Sequence, residues 1–165
     1  MEATKDMTMN EWLIEQERDG YLISTDPARI DVPAVHNFLA SSYWASGLPL
    51  EVLTRSIAGS LCFGIYQGDH QVGFARVITD QATFAYLADV YVLEGHRGKG
   101  LAQWLLEVIS AHPWLQGLRR FLLVTRDAHG LYEKAGFQPI AHVEGYMERR
   151  RPNPYLSEKS NAPTE

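Results

Sequence analysis

A polar, glycine-rich loop joins an apolar strand to an amphipathic helix, and this junction constrains the fold more than any other feature. The strand at 83–93 (TFAYLADVYVL) is nearly all apolar, as is usual for a strand covered on both faces. The loop at 94–100 reads EGHRGKG, and apolar residues recur at helical spacing over 101–112. A second apolar strand follows at 120–125 (RFLLVT). This order predicts a strand-loop-helix-strand crossover, which we expect to be right-handed.

The remaining segments predict the other elements of one domain. Before the crossover we expect two short strands at 12–15 and 21–24, helices over about 30–39 and 50–58, and strands at 60–67 and 71–79. After it we expect a helix at 128–135, with Asp127 as its N-cap, and closing strands at 137–140 and 142–148. Such an order is typical of an α/β (mixed α+β) sheet, mostly antiparallel, with helices on both faces. We predict one domain over 1–150 and a polar, proline-containing tail over 151–165.

Composition narrows the class of protein. With 165 residues and a net charge of −5, the chain has no general attraction to nucleic acid or anionic lipid, so neither partner is expected. No stretch approaches the ~20 apolar residues of a membrane span. The first residues lack the basic and apolar segments of a signal peptide, which predicts a cytoplasmic protein.

The single cysteine, Cys62, is expected in the core. The six histidines lack metal-ligand spacing, so no metal is predicted.

The loop before the helix has the chemistry of an anion site. The first amide groups of a helix have no partner inside the helix, and with the helix dipole they attract an anion. Gly98 and Gly100 carry no Cβ, so a phosphate can approach the main chain closely. Arg97 and Lys99 add positive charge beside them. A diphosphate fits this arrangement.

Two nucleotide-binding motifs fail on the residues present. A P-loop needs Ser or Thr after its Gly-Lys pair, and no such run exists here. A Rossmann fingerprint that uses Gly98 and Gly100 would need Gly or Ala where Gln103 stands. On the loop alone, a basic helix start without any ligand stays open as an alternative.

Two motifs make the chain resemble the GNAT acetyltransferase family. Residues 97–102 (RGKGLA) match the family pattern Arg/Gln-x-x-Gly-x-Gly/Ala, and residues 128–137 (AHGLYEKAGF) match its later pattern A-x-x-L-Y-E-K-x-G-F. One helix and one strand separate them, as in the family, and the resemblance covers about 60–148. It implies a GNAT fold, with a central sheet splayed between its two middle strands, and acetyl-CoA as co-substrate.

The resemblance also implies which residues bind that co-substrate. In the family, the strand before the loop holds the pantetheine arm through its backbone, and the loop amides hold the diphosphate. The corresponding residues here are Val90, Tyr91 and Val92 for the arm, and Arg97, Gly98, Lys99, Gly100, Leu101 and Ala102 for the diphosphate. Many relatives carry Asn against the cofactor where this chain has Thr125.

For catalysis, the resemblance implies that Tyr132 protonates the departing CoA thiolate. A backbone N–H near Val90 would stabilise the oxyanion. Asp89, alone in an apolar strand, is our candidate for the general base, and a buried structural carboxylate is the equal alternative. Glu94 and His96 are weaker candidates for the base.

The acceptor end is less defined by the sequence. Tyr43, Trp44, Phe84 and Tyr86 could form an aromatic wall or belong to the core. Arg76 could bind a substrate carboxylate, but a structural ion pair is favoured. The expected function is acetyl transfer to a primary amine of a small molecule or peptide by direct attack in a ternary complex, an EC 2.3.1 type of reaction. The alternative is a non-catalytic module that binds or senses acyl-CoA, and the family makes a homodimer plausible.

Overall fold

The fold is built on one sheet of six strands, seen in a computed structural model that describes residues 11–152 and 154–156. The strands are β1 (Glu15–Arg18), β2 (Tyr21–Ser24), β3 (Leu61–Gln67), β4 (His70–Thr79), β5 (Phe84–Val92) and β6 (Arg120–Leu123). Their spatial order follows the chain, β1-β2-β3-β4-β5-β6. All neighbours are antiparallel except β5 and β6, which are parallel. The mixed, mostly antiparallel sheet predicted from the sequence is therefore confirmed.

Four α-helices accompany the sheet. They are α1 (Val32–Ser41), α2 (Leu50–Ala58), α3 (Leu101–Ala111) and α4 (His129–Lys134). Helix α1 starts where the Asp31 side chain accepts a hydrogen bond from the amide of Ala34 at 3.0 Å, an ordinary N-cap. Helix α3 carries β5 back to the parallel strand β6, which is the crossover that the sequence predicted.

The helices lie on both faces of the sheet and close two hydrophobic cores. Helix α3 buries Trp104, Leu105 and Ile109 on one face, against strand residues such as Phe63 and Ile65. On the other face, Val35 and Leu39 of α1 and Leu53 of α2 form a second buried cluster. The alternate strand residues Cys62, Phe74 and Tyr91 complete it. Because successive strand side chains point to opposite faces, this division explains why β3 and β4 are apolar almost throughout.

The sheet opens between β5 and β6. Pairing runs only from Phe84 opposite Arg120 to Leu87 opposite Leu123, and the rest of β5 has no partner on that side among the described residues. At the same place β5 bulges: Asp89 and Val90 together lie opposite one residue of β4. The predicted opening of the sheet is therefore present, although β6 is the last strand of the described sheet rather than a middle one.

The predicted closing strands at 137–140 and 142–148 are wrong. Residues 137–142 have no regular strand structure, and residues 143–145 form a short 3-10 helix. Their alternating apolar pattern favours a strand, but Pro139 has no amide hydrogen to donate to a neighbouring strand. Alternation alone cannot make a strand without a hydrogen-bonded partner.

The ends of the chain contain two smaller differences. The first strand begins at Glu15 instead of Trp12, because the Trp12 carbonyl accepts hydrogen bonds from Thr25 Oγ1 at 2.7 Å and His112 Nε2 at 3.0 Å. In the predicted irregular tail, Tyr155 packs against the core under α1 and α2. Within the described part of the chain, no helix is long and apolar enough to cross a membrane.

Candidate active site

The loop between β5 and α3 presents free amide groups at its surface. Gly98 and Gly100 both have φ of 75°, a conformation that glycine adopts without the penalty of a Cβ. In the described structure no side chain caps the N-terminus of α3, so its first amides stay open. The loop is tied to the strand by Arg97, whose Nε donates to the carbonyl of Val92 at 2.9 Å. The loop therefore presents open amides of the kind that can bind an anion.

The opened edge of β5 leads directly into this loop. Val90 and Val92 direct their side chains into the core under α3, and Tyr91 stacks on Phe38 at a centroid distance of 3.8 Å. Their side chains are thus engaged in packing, whereas the backbone groups facing β6 have no strand partner among the described residues. Unpaired backbone groups need partners, and the amides of a pantetheine arm can supply them.

Asp89 is held at the bulge of β5 by two side chains. Its Oδ2 accepts from Arg76 Nε at 2.8 Å, and its Oδ1 accepts from the indole Nε1 of Trp44 at 3.2 Å. Both charged side chains are largely buried, at 11% exposed for Asp89 and 15% for Arg76. The structural ion pair favoured for Arg76 is confirmed. Asp89 has φ of 57°, which is rare for a residue with a side chain.

The connection between α1 and α2 lies over this part of the sheet. Tyr43 and Trp44 are 53% and 44% exposed, so they are not core residues. The guanidinium of Arg126 lies 3.8 Å from the centre of the Tyr43 ring, a cation–π contact across from the end of β6. The two aromatic residues therefore connect the β5 bulge to the segment that precedes α4.

Phe84 and Tyr86 lie at the start of β5, and their side chains point to the face opposite the buried Ala85 and Leu87. Tyr86 stands between its cross-strand neighbours Ile78 on β4 and Leu122 on β6. Ile78 and Phe84 are 42% and 38% exposed. These side chains form an apolar row open to solvent, which we call the β4–β6 row.

Tyr132 lies on α4, partly buried against the core under α3. Burial raises the pKa of its phenol above the usual range, and the neighbouring Tyr43 and Asp127 raise it further. The side chain lines a groove of about 260 Å³ together with Thr125 and the outer side of β6. Tyr132 is thus near Tyr43, which in turn adjoins Trp44 and the bulge.

The side chain that contacts the start of α4 is that of Thr125 and not that of Asp127. The Thr125 hydroxyl accepts from the amide of Ala128 at 3.1 Å, at the start of α4. Asp127 does not cap the helix as predicted, but lies 3.9 Å from Arg126 in an exposed ion pair. Thr125 reaches this amide because β6 ends at Leu123, two residues before Thr125. The sequence pattern, which predicted a strand to residue 125, did not show this end.

Cys62 is a core residue, as predicted. It is 5% exposed, and burial raises the pKa of its thiol to about 12, so almost no thiolate exists at neutral pH. Among residues 11–152 and 154–156, no cluster of His, Cys, Asp and Glu could hold a metal ion.

Sequence reasoning missed Tyr21 and underrated His96. Tyr21 is 5% exposed on β2, and its hydroxyl lies 3.2 Å from Lys99 Nζ and 2.9 Å from His96 Nδ1. More than seventy residues separate Tyr21 from both partners, so no local pattern could indicate the contact. His96, a weaker candidate for the general base, is half-buried beside this tyrosine.

Comparisons with known proteins agree with this geometry. The family model for the acetyltransferase (GNAT) domain matches residues 58–139. A protein of Gibberella zeae named as a candidate acetyltransferase is 38% identical over 140 residues, which cover 71% of this chain and 78% of that protein. A crystal structure of a candidate GNAT acetyltransferase from Xanthomonas campestris is 48% identical, with a TM-score of 0.80 over 82% of this chain and 96% of that one.

One more distant structure bears on the fold alone. A candidate acetyltransferase from Clostridium acetobutylicum, crystallised with acetyl-CoA, has a TM-score of 0.58 at 17% identity. The match covers 79% of this chain and 94% of that protein.

Proposed function

The chain belongs to the GNAT acetyltransferase family, and we propose that it is an N-acetyltransferase that moves the acetyl group of acetyl-CoA to a primary amine. The observation that carries the proposal is the continuity of two backbone features. Among the described residues, the edge of β5 beyond Leu87 has no strand partner, and the loop that follows β5 leads to the N-terminus of α3, which no side chain caps. One ligand that has both amide groups and a diphosphate satisfies both features, and acetyl-CoA is such a ligand.

The donor would lie along this edge with its acetyl group at the bulge. The backbone of Val90, Tyr91 and Val92 would bond the pantetheine amides, and the amides after Arg97 would bond the diphosphate. A bulge leaves one residue of the strand outside the ladder, and an N–H near Val90 would then be available to an oxyanion.

Tyr132 would supply the proton for the leaving group. The amine nitrogen attacks the thioester carbonyl, the tetrahedral intermediate collapses, and the carbon–sulfur bond breaks to release the CoA thiolate. The phenol then donates its proton to the sulfur. Because the pKa of Tyr132 is raised, the phenol keeps its proton throughout the neutral range and is available as a donor.

The amine must lose a proton before or during attack, and we assign its acceptance to Asp89, acting through water. Each carboxylate oxygen has a second lone pair beyond its bond to Arg76 or Trp44. The ion pair fixes the carboxylate at the bulge, beside the place proposed for the thioester.

The acceptor would approach across Tyr43 and Trp44 and the β4–β6 row. Exposed aromatic and aliphatic side chains next to a reactive centre favour an amine that carries an apolar group, on a small molecule or a peptide.

The alternative is a module that binds acyl-CoA without turnover. Such a module has no need of a proton donor, whereas Tyr132 has a phenol whose pKa is raised by burial. Replacing Tyr132 by Phe distinguishes the two functions. The substitution should lower the rate of acetyl transfer by an enzyme, whereas a binding module has no transfer rate to lower.

Calorimetric titration with acetyl-CoA, with ATP and NAD as controls, tests donor binding. We expect binding of acetyl-CoA alone. A panel of primary amines, read by thiol release, then tests transfer. A folded protein that does not bind acetyl-CoA would overturn the proposal, and selective binding without turnover of any amine would favour the binding module.

A further inference from the structure

The Tyr21 hydroxyl is the meeting point of the two polar side chains that flank the anion loop. Tyr21 is a buried residue of β2. Two strands, β3 and β4, separate β2 from β5, the strand that leads into the loop. His96 ends the turn that leads into the loop, and Lys99 stands between the two glycines of positive φ. The Lys99 ammonium also lies 5.7 Å from the centre of the Tyr21 ring, and the His96 ring meets that ring edge-on at 5.8 Å.

One hydrogen-bond direction in this cluster follows from the groups present. An ammonium can only donate, so Lys99 Nζ donates to the Tyr21 oxygen. The Tyr21 hydroxyl donates to His96 Nδ1 or accepts from it, according to the histidine tautomer. In either case the Tyr21 hydroxyl bonds both side chains.

The loop itself has few other restraints. Arg97, Gly98, Lys99 and Gly100 are exposed, and a Cβ on either glycine would contact nothing within 4 Å. Glycines lose more backbone freedom on ordering than any other residue. A loop of this kind needs a contact with the rigid part of the fold to hold its amides in one direction.

We propose that Tyr21 is a positioning residue for the diphosphate of acetyl-CoA, an inference that rests on the proposed function. Its hydroxyl holds Lys99 and His96, and thereby fixes the loop with its amides and the Lys99 charge ready for the ligand. Preorganisation of this kind improves affinity because less freedom is lost on binding.

The test compares Tyr21→Phe with Tyr66→Phe by calorimetric titration with acetyl-CoA. Tyr66 is a matched control: it lies on the neighbouring strand β3, is also 5% exposed, and its buried hydroxyl has no hydrogen-bond partner in the described structure. We expect Tyr21→Phe to raise the Kd for acetyl-CoA about tenfold, and Tyr66→Phe to leave it within about twofold.

A double-mutant cycle with Lys99→Met separates positioning from general weakening. If Tyr21 acts through Lys99, the tenfold effect of Tyr21→Phe should shrink to about threefold in the Lys99→Met background, where only the His96 contact remains. Equal effects in both backgrounds, or equal effects of the two tyrosine variants, would overturn the inference. Should Tyr21→Phe fail to fold, His96→Ala tests the same contact from the loop, and an unchanged Kd overturns the inference.

The outcome also distinguishes this inference from the proposed function. Wild-type protein that does not bind acetyl-CoA overturns both. If the wild-type protein and the Tyr21→Phe variant bind acetyl-CoA equally well, only the positioning role is overturned.

Discussion

The indole of Trp44 donates a hydrogen bond to the carboxylate of Asp89 at 3.2 Å, and this contact joins the connection between α1 and α2 to the bulge of β5. The two residues are forty-five positions apart. The contact matters because the bulge is where the sheet opens, so the α1–α2 connection is fixed beside the proposed acetyl group. Phe38 on α1 strengthens the same junction by stacking on Tyr91.

Replacement of Trp44 by Phe removes this hydrogen bond but keeps an aromatic ring. We expect the KM for the amine found in the panel to rise severalfold, with the Kd for acetyl-CoA unchanged, because the donor edge of β5 is not touched. Steady-state kinetics and calorimetry provide the two measurements. Trp114→Phe is the control, since its buried Nε1 has no hydrogen-bond partner in the described structure. A parallel loss in both variants would assign the effect to general packing.

The ion pair between Arg76 and Asp89 should contribute to stability as well as to geometry. Arg76→Met leaves a largely buried carboxylate without its cation, and we expect the free energy of unfolding to fall by about 2 kcal/mol. Urea denaturation measures this change. Adding Asp89→Asn removes the uncompensated charge, so the double variant should lose less than the sum of the two single variants. Simple additivity would show that the two side chains act independently.

Tyr132→Phe should reduce the rate of transfer by about 10²–10⁴-fold while the Kd for acetyl-CoA stays the same. The pH profile gives a second test with a definite sign. The active form of the phenol is protonated, and its pKa is raised by burial, so loss of its proton should reduce kcat only at a pH above the usual tyrosine range. A decline of kcat at lower pH that vanishes in Tyr132→Phe would contradict the environment described for this residue.

Gly100→Ala should disturb the anion loop through conformation alone. A Cβ there would meet nothing within 4 Å, but φ is 75°, so alanine is strained by about 1 kcal/mol. Gly95→Ala is the matched control, because its Cβ also meets nothing and its φ is not positive. We expect weaker binding of acetyl-CoA and lower stability only in Gly100→Ala. Similar behaviour of the two variants in calorimetry and denaturation would argue against a conformational requirement.

The sequence by itself determined the elements whose signals are local. The apolar pattern of 83–93, the glycines of the loop and the helical spacing after Leu101 predicted β5, the loop and α3, because each depends on neighbours within a few turns. The same was true of Cys62, since a short apolar strand segment is enough to indicate burial.

The tertiary structure alone decided which distant residues meet. The partners of Asp89 are fixed by the register of β4 against a bulged β5 and by the path of the chain after α1, and neither leaves a periodic trace in the sequence. Tyr21 could be linked to Lys99 only through the order of strands in the sheet. Residues 142–148 alternate like a strand, yet they form none in the absence of a hydrogen-bonded neighbour. Periodicity shows which face a residue prefers, whereas long-range pairing decides what lies on that face.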